Sequence, residues 1–109
     1  MSNIAVIGAA GRMGKALIET IAETQGARLS AALEQPDSSL VGADAGELAG
    51  IGRNNIQVAA SLIEVADDFD VLIDFSIPAV TAANAAFCAE HGKKIVPAST
   101  PTSARQVMV

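Results

Sequence analysis

The chain has 109 residues, which is enough for one domain with a hydrophobic core of its own. A net charge of −5 and only three aromatic residues, all Phe, argue against nucleic acid as a partner, because neither a basic stripe nor stacking platforms are available. The single cysteine excludes an internal disulfide and is typical of a reducing compartment. The sequence has no apolar run of membrane-spanning length and no signal-peptide opening, so we expect a cytoplasmic protein.

The chain begins with a predicted strand, a glycine-rich turn and a helix. Residues 3–7 are a continuous aliphatic run, and residues 12–24 carry apolar side chains at helical spacing. In this order the backbone of the turn can approach a dinucleotide pyrophosphate, and the helix presents free N–H groups and its positive end. The alternative is a plain strand-to-helix turn. The connecting residues are Gly8-Ala9-Ala10-Gly11-Arg12-Met13-Gly14.

A carboxylate follows the second predicted strand, Ala27 to Leu33. Glu34 lies 20 residues after Gly14, where an acidic residue accepts hydrogen bonds from the adenosine ribose hydroxyls. The alternative is a solvated carboxylate at a strand end. An acidic side chain disfavours a 2′-phosphate, whereas the Arg12 guanidinium can reach toward one, so both NADH and NADPH are compatible with the sequence.

The remaining sequence continues the alternation of strands and helices. We predict a long loop (38–55), a brief strand (56–60), a short helix (62–66) with Ser61 and Glu64 as a capping box, a strand (69–75), a helix from Pro78 that ends at His91-Gly92, and a last strand (93–96).

This alternation predicts an α/β fold with a doubly wound parallel sheet, of which the chain holds little more than one nucleotide-binding half. If the brief strand is not counted, the strand at 93–96 is the fourth, and the sheet is truncated after it. We expect this fourth strand to lie beside the first, at the switch point, with its carboxyl end against the cofactor.

Other polar and reactive residues point to structural roles. We interpret Asp67, Asp68, Asp70 and Asp74 as strand-edge and loop charges rather than a metal site, because no His or Cys joins them at ligand spacing. Cys88 lies among alanines and Phe87, which favours a buried small hydrophobe over a catalytic thiol.

Together these motifs resemble the 4-hydroxy-tetrahydrodipicolinate (dihydrodipicolinate) reductases of lysine and diaminopimelate synthesis, over residues 3 to about 96. The turn at 8–14 is similar to the family's Gly-x-x-Gly-Arg-Met-Gly, and Ala31-Ala32-Leu33-Glu34 to its ribose-binding strand end. Residues 38–50 resemble the family's long loop, and residues 70–78 its cofactor-bordering strand and loop.

The resemblance implies a Rossmann-like domain at residues 1–96 and a homotetrameric oxidoreductase that passes hydride from NADH or NADPH to a cyclic dicarboxylate imine. It implies that the turn holds the pyrophosphate, that Glu34 holds the adenosine ribose, and that Phe75 and Ser76 line the nucleotide groove. The turn residues concerned are Gly8, Ala9, Ala10, Gly11, Arg12 and Met13.

The sequence departs from the family pattern in three places. Gln35 stands where many members carry an arginine for a 2′-phosphate. The family's nicotinamide-contacting Gly-Thr-Thr-Gly corresponds to Ala98-Ser99-Thr100-Pro101, which lacks both glycines, within a divergent tail at 97–109. The catalytic His-His-x-x-Lys stretch of the substrate domain has no counterpart, so we assign no catalytic residue and expect no turnover from these residues alone.

Three functional hypotheses follow. The first is a reductase-derived cofactor-binding half that keeps dinucleotide affinity. The second is a stand-alone nucleotide-binding or interaction module without a reductase role. The third is a folded remnant that binds nothing well. Retention of the family pattern up to Val96 and divergence after it favour the first hypothesis.

Overall fold

The computed structural model describes residues 2–74 and 78–97. Its elements are the strands β1 (Ser2–Ile7), β2 (Ala27–Leu33), β3 (Val58–Ala59), β4 (Val71–Asp74) and β5 (Lys94–Pro97), the helices α1 (Arg12–Glu23), α2 (Ala45–Ala49) and α3 (Pro78–Glu90), and a 3-10 helix at Leu62–Val65. The strands form one parallel sheet in the order β3-β2-β1-β4-β5. No helix within 2–74 and 78–97 has the length and apolar content that crossing a bilayer requires.

The centre of the sheet is β1, which pairs with β2 on one side and β4 on the other. Ile4, Ala5 and Val6 are completely buried, although they point alternately to opposite faces of the sheet. A strand buried on both faces needs a continuous apolar run, which is the pattern read from the sequence.

Helices cover both faces of the sheet, so the doubly wound α/β fold predicted from the sequence is confirmed. Leu17 and Ile21 of α1 pack against Ile4 and Val6 on one face. On the other face, the 3-10 helix and α3 contribute to a second apolar cluster. Its buried members are Ala5, Ala31, Leu33, Leu62, Phe69, Leu72 and Cys88.

The expectation that Cys88 is a buried small hydrophobe is confirmed. The side chain has no exposed surface, and burial raises the pKa of the thiol, with a further increase from the nearby charge of Asp74. A raised pKa disfavours the reactive thiolate, so the environment of Cys88 is that of a packing residue.

The predicted place of the last strand is wrong. The neighbour of β1 at the switch point is β4, and the strand at 94–97 pairs with the far side of β4. The reason is that the brief strand is part of the sheet. β2 and β3 extend the sheet from one side of β1. The chain then returns to place β4 on the other side of β1, and β5 pairs with the free edge of β4.

The segment at 38–55, predicted as a long loop, contains the helix α2. The carboxylate of Asp44 holds this helix in place. Asp44 caps α2 by accepting from Glu47 N at 3.0 Å, and it also accepts from Asn54 N at 3.1 Å and Asn55 N at 2.8 Å. Burial alone would raise the pKa of Asp44, but these backbone N–H groups and that of Gly46 outweigh it and lower the pKa. The carboxylate thus ties the start of α2 to residues 54–55 at the end of the segment.

The prediction of a capping box at Ser61 and Glu64 is wrong, because neither of its two hydrogen bonds joins these residues. The Ser61 hydroxyl accepts from Ile63 N at 3.4 Å rather than from the N–H of Glu64, and the helix it begins is a 3-10 helix. In that tighter winding, Glu64 N donates to the carbonyl oxygen of Ser61 instead, at 3.2 Å.

We expect Asp44→Asn to lower the free energy of unfolding at neutral pH. The free energy of unfolding of this variant should also fall less steeply than that of the wild type as the pH is lowered. A carboxylate whose pKa is lowered by folding stabilises the protein above its unfolded-state pKa of about 3.9, and this contribution is lost as the pH falls through the folded-state pKa. Urea unfolding midpoints between about pH 2 and pH 7 measure the effect. Asp37→Asn, at an exposed turn, is the matched control, and equal acid dependence of the wild type and Asp44→Asn would contradict this role.

Candidate dinucleotide-binding site

The glycine-rich turn lies at the carboxyl end of β1, where the sheet changes its direction of winding. Gly8 has a φ of +83°, which a residue with a side chain rarely adopts. Gly8 N and Ala9 N both donate to the carbonyl oxygen of Leu33, at 2.9 and 3.2 Å. Ala9 is fully buried and packs with Ile18 and Ala32. The first two residues of the turn therefore fasten it to β2.

The end of α1 that faces the turn is open. Gly11 is the N-cap residue and has no side chain with which to cap. The first helical bond runs from Lys15 N to Gly11 O at 2.9 Å, so the N–H groups of Arg12 and Met13 have no intrahelical partner. The first turn contains no acidic residue, and Arg12 is exposed. The helix dipole and the guanidinium thus add to a positive potential suited to an anion.

Gly14 is required for the packing of α1 against the turn. A Cβ at this position would overlap the carbonyl oxygen of Gly8 and lie 2.8 Å from the Cα of Ala9. A Cβ at Gly11 would be 3.3 Å from the oxygen of Gly8, a contact that a small shift relieves. Of these two glycines, Gly14 is therefore the one that α1 requires to lie this close to the turn.

Glu34 is brought to the turn, as its position after β2 predicts. Its Oε2 accepts from Ala10 N at 2.8 Å, and the side chain is half-buried. Sequence reasoning placed Glu34 against the ribose but missed this bond, because a spacing of residues shows that two groups share a sheet edge and not that they touch. The carboxylate joins the end of β2 to the middle of the turn.

A cavity of about 300 Å³ opens beside Glu34 on the face of the sheet that α3 covers. Sequence reasoning also missed Asn84, which lines this cavity from α3 and donates through Nδ2 to Asp74 Oδ2 at 2.9 Å. The signal available in the sequence was an asparagine, a weak helix former, inside an alanine-rich helix. The lining is mostly apolar, with two polar side chains besides Glu34: it consists of Ile7, Leu33, Glu34, Gln35, Pro36, Ala60, Leu62 and Asn84.

Five predicted site residues lie outside the described part of the chain. They are Phe75 and Ser76, assigned to the nucleotide groove, and Ala98, Ser99 and Thr100, assigned to the nicotinamide end. Their roles stay predictions. Among the described residues, the aspartates considered for a metal have separate tasks: Asp74 binds Asn84, and Asp70 Oδ2 accepts from Asn3 N at 3.4 Å.

A parallel sheet with order 3-2-1-4-5, a glycine turn at its switch point and an acidic residue after β2 define a Rossmann-like nucleotide-binding domain. The family model described as "Dihydrodipicolinate reductase, N-terminus" matches residues 2–108. The chain belongs to this family, as its motifs predict.

Two curated relatives, both named 4-hydroxy-tetrahydrodipicolinate reductase, are similar to most of the chain. The one from Saccharophagus degradans is 56% identical over 91% of this chain and 37% of its own length. The one from Chromohalobacter salexigens is 52% identical over 94% of this chain and 38% of its own length. The chain thus spans less than two fifths of the length of these relatives.

Similarity of fold extends to a solved structure. A dipicolinate-bound dihydrodipicolinate reductase from Paenisporosarcina sp. TG-14 matches with a TM-score of 0.68 at 17% identity, over 99% of this chain and 43% of that one. At this level of identity, the match shows the fold alone.

We expect Gly14→Ala to destabilise the domain by roughly 1–3 kcal/mol, because the added methyl group must push α1 off the turn. Gly11→Ala is the matched control, because the backbone of Gly11 is extended at φ −75° and the added methyl group makes only a mild contact. The free energy of unfolding of Gly11→Ala should stay close to that of the wild type. Chemical denaturation of both variants measures the difference. Equal stability of the two would show that α1 does not depend on Gly14 for its close approach.

Proposed function

We propose that this chain is the NADH- or NADPH-binding part of a 4-hydroxy-tetrahydrodipicolinate reductase, which transfers hydride to a cyclic dicarboxylate imine in lysine and diaminopimelate synthesis. The observation that carries the proposal is the junction of the open end of α1 with the Glu34 carboxylate, which lies 2.8 Å from Ala10 N. It puts an anion site and a hydroxyl acceptor side by side, as a nucleotide requires.

The pyrophosphate accepts hydrogen bonds from the N–H groups of Arg12 and Met13 in this proposal. These groups lie in the first turn of α1, and the exposed Arg12 guanidinium adds charge. Gly8, Ala9 and Ala10 support the site indirectly, because their N–H groups already donate to Leu33 O and to Glu34. The bare Cα of Gly11 leaves the approach to the helix end clear.

The hydroxyl groups of the adenosine ribose donate hydrogen bonds to the Glu34 carboxylate, and the adenine enters the apolar cavity beside it. The cavity volume of about 300 Å³ accommodates a purine ring, and apolar walls formed by Ile7, Leu33 and Leu62 suit its faces. Phe75 and Ser76 border the nucleotide, and Ala98, Ser99 and Thr100 border the nicotinamide end, as the family resemblance implies.

The residues around the ribose make NADH the better ligand, with Arg12 allowing NADPH to bind as well. Glu34 repels a 2′-phosphate, and Gln35 is exposed and uncharged where an arginine would attract one. Arg12 is the cation of the turn and is free to compensate in part.

These 109 residues bind the cofactor without turning over substrate in this proposal. They contain a single histidine, His91, which hydrogen-bonds to Phe87 O at 2.9 Å at the end of α3, and they lack the family's catalytic stretch. The assembled enzyme acts as a cytoplasmic homo-oligomer.

Calorimetric titration of NADH and NADPH into the full chain tests the cofactor site. We expect micromolar binding of both, with NADH tighter. Arg12→Ala should cause a roughly tenfold loss for NADH, since one charge-assisted phosphate contact is removed, and a larger loss for NADPH, whose 2′-phosphate Arg12 also attracts. Arg53→Ala is the matched control, because Arg53 is exposed and its ion-pair partner is Glu47 on α2. If neither NADH nor NADPH gives a heat of binding, the proposal is overturned.

The same titration with Glu34→Ala tests the ribose contact. We expect NADH affinity to fall by roughly 10- to 100-fold, because charge-assisted hydrogen bonds to the ribose are lost. NADPH affinity should fall less, because the variant also removes repulsion of the 2′-phosphate. An equal loss for the two cofactors would mean that Glu34 does not touch the adenosine ribose.

A further inference from the structure

Asn84 is held by a buried carboxylate at the wall of the cavity beside Glu34. Asp74 ends β4 and is only 2% exposed. Asn84 Nδ2 donates to Asp74 Oδ2 at 2.9 Å, across the packed interface between β4 and α3. Asparagine is unfavourable inside a helix, since it competes for backbone hydrogen bonds, so this bond gives Asn84 a reason to occupy an inward position in α3.

The bond to Asp74 determines which end of the Asn84 amide is available to a ligand. Asp74 Oδ2 accepts this hydrogen bond, so the NH₂ group of Asn84 is the end of the amide that faces Asp74. The other end of the amide is its carbonyl oxygen, which is an acceptor only. Because Asn84 also lines the cavity, this oxygen is the atom that its side chain offers to a donor there.

We propose that Asp74 is a positioning residue that makes Asn84 Oδ1 select a purine with an exocyclic amino group. The inference rests on the proposed function, in which Glu34 binds the ribose and the base enters the cavity. An amino group on the base donates to Asn84 Oδ1. A carbonyl oxygen at the same place would face a second acceptor, and both would be left unpaired in a largely apolar pocket.

The probe is reduced nicotinamide hypoxanthine dinucleotide, which differs from NADH at this edge of the base by a carbonyl oxygen in place of the amino group and by a hydrogen on the neighbouring ring nitrogen N1. In calorimetric titrations of the full chain, we expect NADH to bind at least about tenfold more tightly than the hypoxanthine analogue. If NADH binds but its affinity is close to that of the hypoxanthine analogue, the inference is overturned and the proposed function stands. No binding of either nucleotide would instead contradict the proposed function.

Two variants separate positioning from general stability. Asn84→Ala removes the amide, and we expect the affinity ratio to fall to about one. Asp74→Leu keeps a similar volume but cannot accept from Asn84 Nδ2, so the amide can turn its NH₂ group to the cavity, and the ratio should fall to one or reverse. A purely structural role for Asp74 would weaken both ligands equally and keep the ratio, which would overturn the inference.

Asp68→Leu is the control for loss of a carboxylate, because Asp68 is exposed in the turn before β4, and it should keep the wild-type ratio. Far-UV spectra and thermal unfolding establish that each variant is folded. If Asp74→Leu does not fold, the wild-type ratio and that of Asn84→Ala still decide whether the cavity distinguishes an amino group from a carbonyl oxygen. Asp74→Ser, which is too short to reach Asn84, then repeats the test of positioning.

Discussion

The close contact between α1 and the turn before it determines the geometry of the whole site. Gly14 has no side chain, so α1 packs directly on the backbone of Gly8 and Ala9. The same two residues donate to Leu33 O, which fixes the turn to β2 as well. The end of the helix, the end of β1 and the end of β2 are therefore held as one unit. A phosphate group bound to the helix would be placed at a fixed distance from Glu34.

This arrangement gives a chain with a net charge of −5 a locally positive surface at the start of α1. The local charges differ from the overall charge, because α1 begins with Arg12 and has no acidic residue in its first turn. Glu34 is the nearby negative group, and one of its oxygens accepts from Ala10 N. The backbone N–H of Ala10 compensates part of the negative charge of Glu34. The carboxylate therefore repels an anion at the start of α1 less strongly than an unpaired carboxylate would.

The sequence predicted the parts of this site that depend on neighbours along the chain. The bounds of β1, α1 and β2 agree with the structure to within one residue, because aliphatic runs and helical periodicity are strong there and Gly8 and Gly26 end the strand and the helix. The short helix α2 was missed. It depends on Asp44 accepting from Asn54 N and Asn55 N, and contacts between residues this far apart leave no periodic signal.

The order of the last strands and the role of Asn84 were beyond the sequence for the same reason. Whether β4 or β5 lies next to β1 depends on whether the two-residue strand β3 joins the sheet, which is a question of packing. Asn84 looked like an unremarkable polar position in an alanine-rich helix. Its partner Asp74 is ten residues earlier, on a different element, and only the fold brings the two together.

Three carboxylates with little solvent exposure hold other groups of this domain in place by accepting hydrogen bonds from N–H groups. Asp44 accepts from three backbone N–H groups and orders the segment around α2. Glu34 accepts from the turn, and Asp74 accepts from a side-chain amide. Glu34 and Asp74 differ from Asp44 in that each supports the cavity at the carboxyl end of the sheet. In the proposed complex, their charges therefore affect the ligand through the groups they hold in place, and for Glu34 through direct contact as well.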